Sequence, residues 1–165
     1  MGMILNRSFR KMFKGYPTMS DKYNVAPGNL VGSTAVQFGD LVKHSSTKGY
    51  FEAITDTVTL AEIAGFVLAT NVKLAESNNT TVETKPGEAF NLAIGGNTFM
   101  AIELDSGATA SYVSANLPVE VILATGKCTT SDKASEGTIV ALPGVVFTGI
   151  YETVGGKILA EILIK

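Results

Sequence analysis

The feature of this sequence that most restricts its fold is a period-two alternation of large apolar residues with small or polar ones. In residues 89–94 and 99–104 every even-numbered position is large and apolar. Successive side chains of a strand point to opposite faces, so each run places one apolar row on one face of a sheet. Gly95, Gly96 and Asn97 separate the two runs and tolerate the positive φ of tight turns. We therefore predict a β-hairpin over residues 89–104.

The end of the chain follows the same pattern. An apolar stretch over residues 145–154 leads into Gly155 and Gly156, and residues 157–165 then alternate. This order predicts a second hairpin. Because both faces of the last strand are rich in apolar residues, we expect it to be central in a sheet or covered by a partner, and not a free edge.

Shorter strands and turns fill the region between the two predicted hairpins and the segment before them. The only internal helical candidate is a single turn at residues 60–64. Frequent short strands with little helix favour a mostly β fold, a compact antiparallel β-barrel or sandwich. The shorter strands are predicted at residues 41–44, 50–54, 65–69, 80–84, 119–124 and 138–142.

The first 23 residues differ from the rest. Residues 1–22 carry five cations and one acid, a net charge of +4, whereas residues 23–165 carry 8 cations and 14 acids, a net charge of −6. This asymmetry suggests a segment that reaches an anionic surface, either nucleic acid or an acidic protein face. We predict a basic N-terminal arm at residues 1–23, extended or helical, on a single β-rich domain at residues 24–165. On a helix one side would carry Ile4, Leu5, Phe9, Met12 and Phe13.

The bulk composition suggests a protein that has part of its surface in contact with partners. Apolar residues make up 45 % of the chain and charged residues 17 %, against about 25 % in a typical domain. A low charge suggests that partners cover some of the surface. No apolar run approaches the roughly 18 residues that a membrane span requires, so we expect no membrane contact.

Residues that could support catalysis are scarce. His44 is the only histidine and Cys128 the only cysteine, which excludes a two-histidine metal site and a disulfide framework. Glu103 and Asp105 would share a strand face, but Asp105 begins a stretch with the composition of an ordinary turn. Neither phosphate-binding glycine motif occurs. We expect no catalytic residue, no cofactor and no metal site.

Nucleic acid is a weaker candidate than protein as a partner. The arm combines cations with aromatic residues, which could contact phosphates and stack on bases. However, the body is acidic and the sequence pI is about 5.4, so the body would repel a polyanion. We expect the chain to bind protein surfaces.

Several segments resemble the structural cement, or decoration, proteins of tailed-bacteriophage capsids. The resemblance implies a compact β-domain on the outer surface of an assembled virion capsid, made in the bacterial host cytoplasm. It also implies a bridge between major capsid protein subunits, a homo-oligomer (dimer or trimer), and no catalytic residues. The resemblance rests on NVAPGNLVG at residues 24–32, FGDLV at 38–42, GKCTT at 126–130, GVVFTG at 144–149 and GGKILAEILI at 155–164.

The basic arm is not part of the pattern that the resemblance covers, and we interpret it as a capsid-gripping extension. Aromatic side chains would enter apolar pockets of the capsid, and cations would meet acidic groups. The residues assigned to this interface are Phe9, Phe13 and Tyr16 as aromatic anchors and Arg7, Arg10, Lys11 and Lys14 as cations. The alternatives are another β-rich virion component, such as a head-fibre base or a tail protein, and a carbohydrate-binding module. The absence of tryptophan disfavours the carbohydrate-binding module.

Overall fold

Strands dominate the computed structural model, which describes residues 12–18, 24–69, 83–136 and 138–165. Within these ranges the helical elements are single or double 3-10 turns at Leu60–Glu62, Ala110–Tyr112 and Ser131–Glu136. The mostly β fold class is therefore confirmed. The strands are β1 Asn24–Val31, β2 Val36–Gln37, β3 Leu41–His44, β4 Tyr50–Ala53, β5 Ile63–Leu68, β6 Glu83–Thr84, β7 Ala89–Gly95, β8 Thr98–Glu103, β9 Pro118–Ile122, β10 Lys127–Thr129, β11 Ile139–Val154 and β12 Lys157–Ile164.

Among the described residues, no helix is both long enough and apolar enough to cross a membrane.

Five strands close into a barrel in the order β1, β4, β3, β5, β7, and β7 returns to pair with β1. The β1–β4 pair is parallel, with Leu30 opposite Phe51, and the other four pairs are antiparallel. A closed ring with an odd number of strands cannot alternate direction all the way round. One parallel pair is therefore required, which the expectation of a purely antiparallel arrangement did not include.

Aromatic rings fill the barrel. Phe51 and Phe90 meet edge to face, with ring centroids 5.9 Å apart. Gly28 makes room for them, since a Cβ on this residue would lie 2.6 Å from the Phe51 ring. The cluster inside the barrel consists of Leu30, Val36, Phe38, Val42, Phe51, Val67, Ala69, Phe90 and Leu92.

A second sheet has the strand order β10, β9, β11, β12, β8. β11 and β12 form the predicted C-terminal hairpin, with Val154 opposite Lys157 across the two glycines. β12 lies between β11 and β8, which confirms that the last strand is central. One face of this sheet packs on the barrel, because Met100, Ile102 and Ile162 share a cluster with barrel residues from β3 and β5.

The hairpin predicted for residues 89–104 is wrong. β7 pairs with β1 and β5 in the barrel, whereas β8 pairs with β12 in the second sheet. Gly96 and Asn97 do adopt the positive φ that the sequence indicated. The bend instead carries the chain from one sheet to the other, and the Thr98 hydroxyl donates to the Gly95 carbonyl oxygen at 2.7 Å across it. Turn residues determine where the chain changes direction. Which strands pair with each other depends on strands that are distant in the sequence.

The shorter predicted strands are largely present. The strand at residues 41–44 matches β3, and the one at 138–142 is the beginning of the 16-residue β11. The helical candidate is the single 3-10 turn Leu60–Glu62. Residues 80–82 of the strand predicted at 80–84 lie outside the described residues, and β6 is its described end.

Residues 12–18, which we call the strap, run along the edge of β8 opposite β12. The Gly15 amide donates to the Ala101 carbonyl oxygen at 2.7 Å, and the Ala101 amide donates to the Tyr16 carbonyl oxygen at 3.1 Å. The Ala69 amide at the end of β5 donates to the Gly15 carbonyl oxygen at 2.7 Å. The strap therefore joins the second sheet to the barrel. Most of the helix predicted for the arm falls on residues 1–11, outside the described residues.

The strap touches the barrel by direct backbone contact. Gly15 has φ +73°, and a Cβ on it would lie 2.4 Å from the Cβ of Phe38 and 2.5 Å from the amide nitrogen of Gly39. Gly39 also has a positive φ, and its own Cβ would lie 2.9 Å from the Gly15 nitrogen. Any side chain at either position would separate the two segments.

We predict that Gly15→Ala lowers the free energy of unfolding by about 3 kcal/mol or more, because it adds a clash with Phe38 to the strain of a positive φ. Gly49→Ala is the matched control: its φ is +84° but a Cβ there meets no atom within 4 Å, so the expected cost is about 1 kcal/mol. Urea unfolding of both variants measures the difference. Equal losses would contradict a tight contact at Gly15.

Candidate functional site

The residues assigned to a capsid interface divide between two parts of the chain. Arg7, Phe9, Arg10 and Lys11 lie outside the described residues. Phe13, Lys14 and Tyr16 belong to the strap, so the structure gives their surroundings. These three do not form one surface, since each has a different environment.

Phe13 is the strap residue that presents an apolar surface to solvent. Its side chain is 42 % exposed, which is high for a phenylalanine. Tyr16 is partly buried and packs against the cluster inside the barrel. Of the two aromatic anchors in the strap, Phe13 is therefore the one whose ring is more accessible to a partner.

Lys14 forms an internal ion pair. Its Nζ donates to Asp40 Oδ1 at 2.8 Å and to Gln37 Oε1 at 3.0 Å, and its side chain is only 10 % exposed. Lys127 on β10 approaches the same Asp40 oxygen at 3.2 Å, while the other oxygen accepts the Gln37 amide. One carboxylate therefore connects the strap, the β2–β3 turn and the second sheet.

The pKa of Asp40 reflects this environment. Burial acts to raise the pKa, but the charge and hydrogen bond of Lys14, with help from Lys127 and the Gln37 amide, hold the pKa below its ordinary value. Asp40 is therefore ionised in the folded protein wherever the two lysines are in place. Lys14 therefore stabilises the fold through its ion pair with Asp40. Its position in a basic run of the sequence did not indicate this role.

A second exposed surface lies at the far end of the β11–β12 hairpin and was not identified from the sequence. β9 pairs with β11 only as far as Val146, and among the described residues no strand pairs with that side of residues 148–154. Tyr151 is 45 % exposed there and Val154 is exposed as well. The unpaired strand edge and its apolar side chains are suited to contact with another chain.

Other large apolar side chains are exposed singly on the barrel and its loops. Tyr50 on β4 and Ile94 on β7 are examples, far along the chain from the hairpin end. The protein therefore has exposed apolar side chains on the barrel and on the second sheet.

The groups that could support catalysis are not brought together. His44 is exposed on β3, with its ring centroid 5.6 Å from that of Phe51. Cys128 is buried on β10, and burial raises its pKa to about 12, so it is a thiol at neutral pH. Glu103 forms an ion pair with Lys157 at 2.9 Å. Asp105 Oδ2 accepts the Gly107 amide at 2.8 Å, as in an ordinary turn.

A buried carboxylate that the sequence did not indicate lies on β9. Glu120 on β9 is buried opposite Thr129 on β10, and Glu120 Oε2 and Thr129 Oγ1 have no hydrogen-bond partner. Burial, together with the charge of Asp132, raises the pKa of Glu120. Among the described residues no three His, Cys, Asp or Glu side chains are arranged to hold a metal ion, so this pair is not part of such a group.

We predict that Asp40→Asn destabilises the protein by about 1–3 kcal/mol at pH 7, because it leaves the nearly buried Lys14 ammonium without its counter-ion. The pKa of Asp40 is depressed by folding, so its contribution is complete above the unfolded pKa of about 4 and is lost as the pH falls through the lower folded value. The stability difference between wild type and variant should therefore shrink below about pH 4.

Asp56→Asn is the control, since Asp56 pairs with Lys43 at the surface and is 70 % exposed. Its loss should cost less than about 0.5 kcal/mol. Denaturant unfolding between pH 3 and pH 8, roughly the range that brackets the carboxylate titration, measures both variants. A difference for Asp40→Asn that does not change with pH would contradict the assigned ion pair.

Comparison with solved structures identifies a fold relative. A chain in the structure titled "The capsid of Myoviridae Phage XM1" is similar over 99 % of this chain and 98 % of its own length, with a TM-score of 0.66 and 17 % sequence identity. At this level of identity the similarity shows a shared fold. The comparison with curated proteins gives no match.

The sequence also matches a family model over residues 5–165, and that family is described as "Structural cement protein (E217 gp24/Pam3 gp6)". The matched range includes residues 5–23, so the match does not support the interpretation of the arm as a departure from the family pattern. It covers nearly the whole chain, including the strap, the barrel and the second sheet. The chain belongs to the structural cement protein family of phages.

Proposed function

We propose that this protein binds the outer surface of an assembled phage capsid and stabilises it by bridging neighbouring major capsid protein subunits. The observation that carries the proposal is the family match over residues 5–165. The fold shared with a phage capsid chain supports it. In this role the protein is a non-catalytic component of the virion.

A bridging protein needs at least two contact surfaces, and the described residues offer candidates on the barrel and on the second sheet. Tyr50 is exposed on the barrel, and Tyr151 is exposed at the end of the β11–β12 hairpin. Aromatic side chains are enriched at protein interfaces because they bury a large area at a small entropic cost. A capsid repeats each junction many times, so modest contacts of this kind are reinforced by multivalency.

The N-terminal arm supplies the charged part of the proposed capsid contact. Arg7, Arg10 and Lys11 would meet acidic groups of the major capsid protein, and Phe13 would enter an apolar pocket. Phe9 and Tyr16 remain assigned to the same contact as further anchors. Lys14 contributes indirectly, because its pairing with Asp40 holds the strap against the β-rich domain.

The proposal also includes the domain division and the assembly state. The β-rich domain spans residues 24–165, and the strap hydrogen-bonds to it at β8 and β5. The protein acts as a homo-oligomer, a dimer or a trimer, whose symmetry places several copies of each surface on the capsid.

We expect the triple variant Arg7→Gln, Arg10→Gln, Lys11→Gln to bind preformed capsids at least about tenfold more weakly, with a reduced dependence on salt, because three charge-pair contacts are removed. Occupancy is measured by co-sedimentation with capsids assembled from the major capsid protein of the same phage.

The control variant carries Lys48→Gln, Lys85→Gln and Lys133→Gln, which removes the same charge from the β-rich domain. It should bind like the wild type. Equal occupancy for both triple variants would eliminate the arm as a charged anchor, whereas no binding of the wild-type protein to such capsids would overturn the proposed function as a whole.

A further inference from the structure

The end of the β11–β12 hairpin leaves part of a strand without a neighbour. The barrel is closed, and both outer strands of the second sheet are met by other segments. The strap hydrogen-bonds to Ala101 on β8, and the Asp105 amide donates to the Cys128 carbonyl oxygen on β10 at 2.7 Å. Among the described residues, no strand pairs with the side of residues 151–154 that faces away from β12. We call residues 151–154 the open edge.

The open edge lies beyond the point where the loop before β9 leaves β11. The Phe147 amide donates to the Leu117 carbonyl oxygen, and the Phe147 carbonyl oxygen accepts the Asn116 amide, both at 2.9 Å. Gly149 has φ +88°, and a Cβ on it would lie 3.2 Å from the Ala115 nitrogen. The loop therefore contacts β11 as far as Gly149, and the open edge follows it.

The register of the hairpin shows which backbone groups of the open edge point outwards. The Leu104 amide donates to the Ile158 carbonyl oxygen at 2.9 Å, so the backbone groups of Ile158 point away from β11. Thr153 lies opposite Ile158, and such a pair in an antiparallel ladder forms no hydrogen bonds between its own two residues. The amide and carbonyl groups of Thr153 therefore point away from β12, as do those of Tyr151 two residues earlier.

Four backbone groups thus lie along the open edge, and within the described part of the chain none of them has a hydrogen-bond partner. Tyr151 and Val154 are each 45 % exposed, and Thr153 is exposed as well. Aromatic and β-branched residues favour strands, and neither lysine nor proline, which often block an edge, occurs in residues 149–154. The open edge is therefore suited to the addition of an extended segment as a further strand.

The charge of Glu152 disfavours a second copy of this chain as the added strand. A two-fold antiparallel pair that uses all four backbone groups places Tyr151 of one copy opposite Thr153 of the other. Glu152 then lies opposite Glu152, in a pair whose Cα atoms approach to about 4.5 Å, and like charges directly opposite each other destabilise a sheet. The Met12 amide donates to Glu152 Oε1 at 3.1 Å and so holds the carboxylate beside the edge. A segment with a neutral or cationic residue opposite Glu152 avoids this repulsion.

We propose that an extended segment of the major capsid protein pairs with the open edge and adds a strand to the second sheet beside β11. It forms hydrogen bonds with the backbone groups of Tyr151 and Thr153, and it has a neutral or cationic residue opposite Glu152. This inference rests on the proposed function, because the capsid supplies the partner. Pairing through the backbone fixes the register of the contact, and the side chains of the open edge add apolar area to it.

A proline at position 153 tests the backbone contact. Thr153→Pro removes an amide that points outwards, so the hairpin loses no hydrogen bond of its own. We expect this variant to bind preformed capsids at least about tenfold more weakly than the wild type, because a donor is lost and the ring obstructs the added strand. Thr153→Ala keeps the amide and is the matched control, which should bind within about twofold of the wild type. Co-sedimentation with capsids measures occupancy, and circular dichroism checks that both variants fold.

Hydrogen exchange resolved to single amides measures the same contact in the unchanged protein. The amides of Tyr151 and Thr153 should exchange rapidly in the free protein and at least about tenfold more slowly on capsids. The Glu152 amide points to β12 and is the internal control, which should be protected in both states. This measurement decides the matter even if Thr153→Pro fails to fold.

The outcomes separate this inference from the proposed function. If the wild-type protein binds capsids while the two amides stay unprotected, the inference is wrong and the proposed function stands. Equal binding of Thr153→Pro and the wild type has the same meaning. Protection of both amides in the free protein that rises with protein concentration would assign the open edge to a second copy and overturn the inference. Absence of capsid binding by the wild type would overturn both.

Discussion

The contact between Gly15 and Gly39 is the constraint on which the arrangement of the barrel and the second sheet depends. Two backbone segments approach so closely that neither has space for a β-carbon. Around this point the strap hydrogen-bonds to β8 on one side and to the end of β5 on the other. The Lys14–Asp40 ion pair, reinforced by Lys127, lies beside it. A segment near the beginning of the sequence thus links the barrel to the sheet.

Much of the strand content could be predicted from local pattern, whereas strand pairing could not. β3 and the C-terminal hairpin follow from alternation and turn residues, which act over a few positions. The residues from Ala89 to Glu103 show the limit of that approach: the strands and the bend were predicted correctly, but their partners are far away in the chain. Pairing depends on which apolar faces meet, and that is a property of the whole fold.

The candidate site was predictable only in part, for the same reason. A basic run indicates an anionic partner, but it does not reveal that Lys14 already has one inside the fold at Asp40. Tyr151 looked like an ordinary strand residue because nothing in the sequence marks where β9 stops pairing with β11. The buried Glu120 depends on its position opposite Thr129, which again requires the register of the sheet. Family membership, by contrast, rests on a match along nearly the whole chain.

The parallel pair in the barrel has a consequence for the order of folding. Among the described strands β1 pairs with β4 and β7, both of which come later in the chain, and β7 ends at Gly95. During synthesis, more than half of the protein must therefore emerge before β1 can acquire its second neighbour. Until then β1 has open edges that could pair with other nascent chains. The barrel therefore cannot close until β7 has been synthesised. Its closure should be slower than formation of the local β11–β12 hairpin.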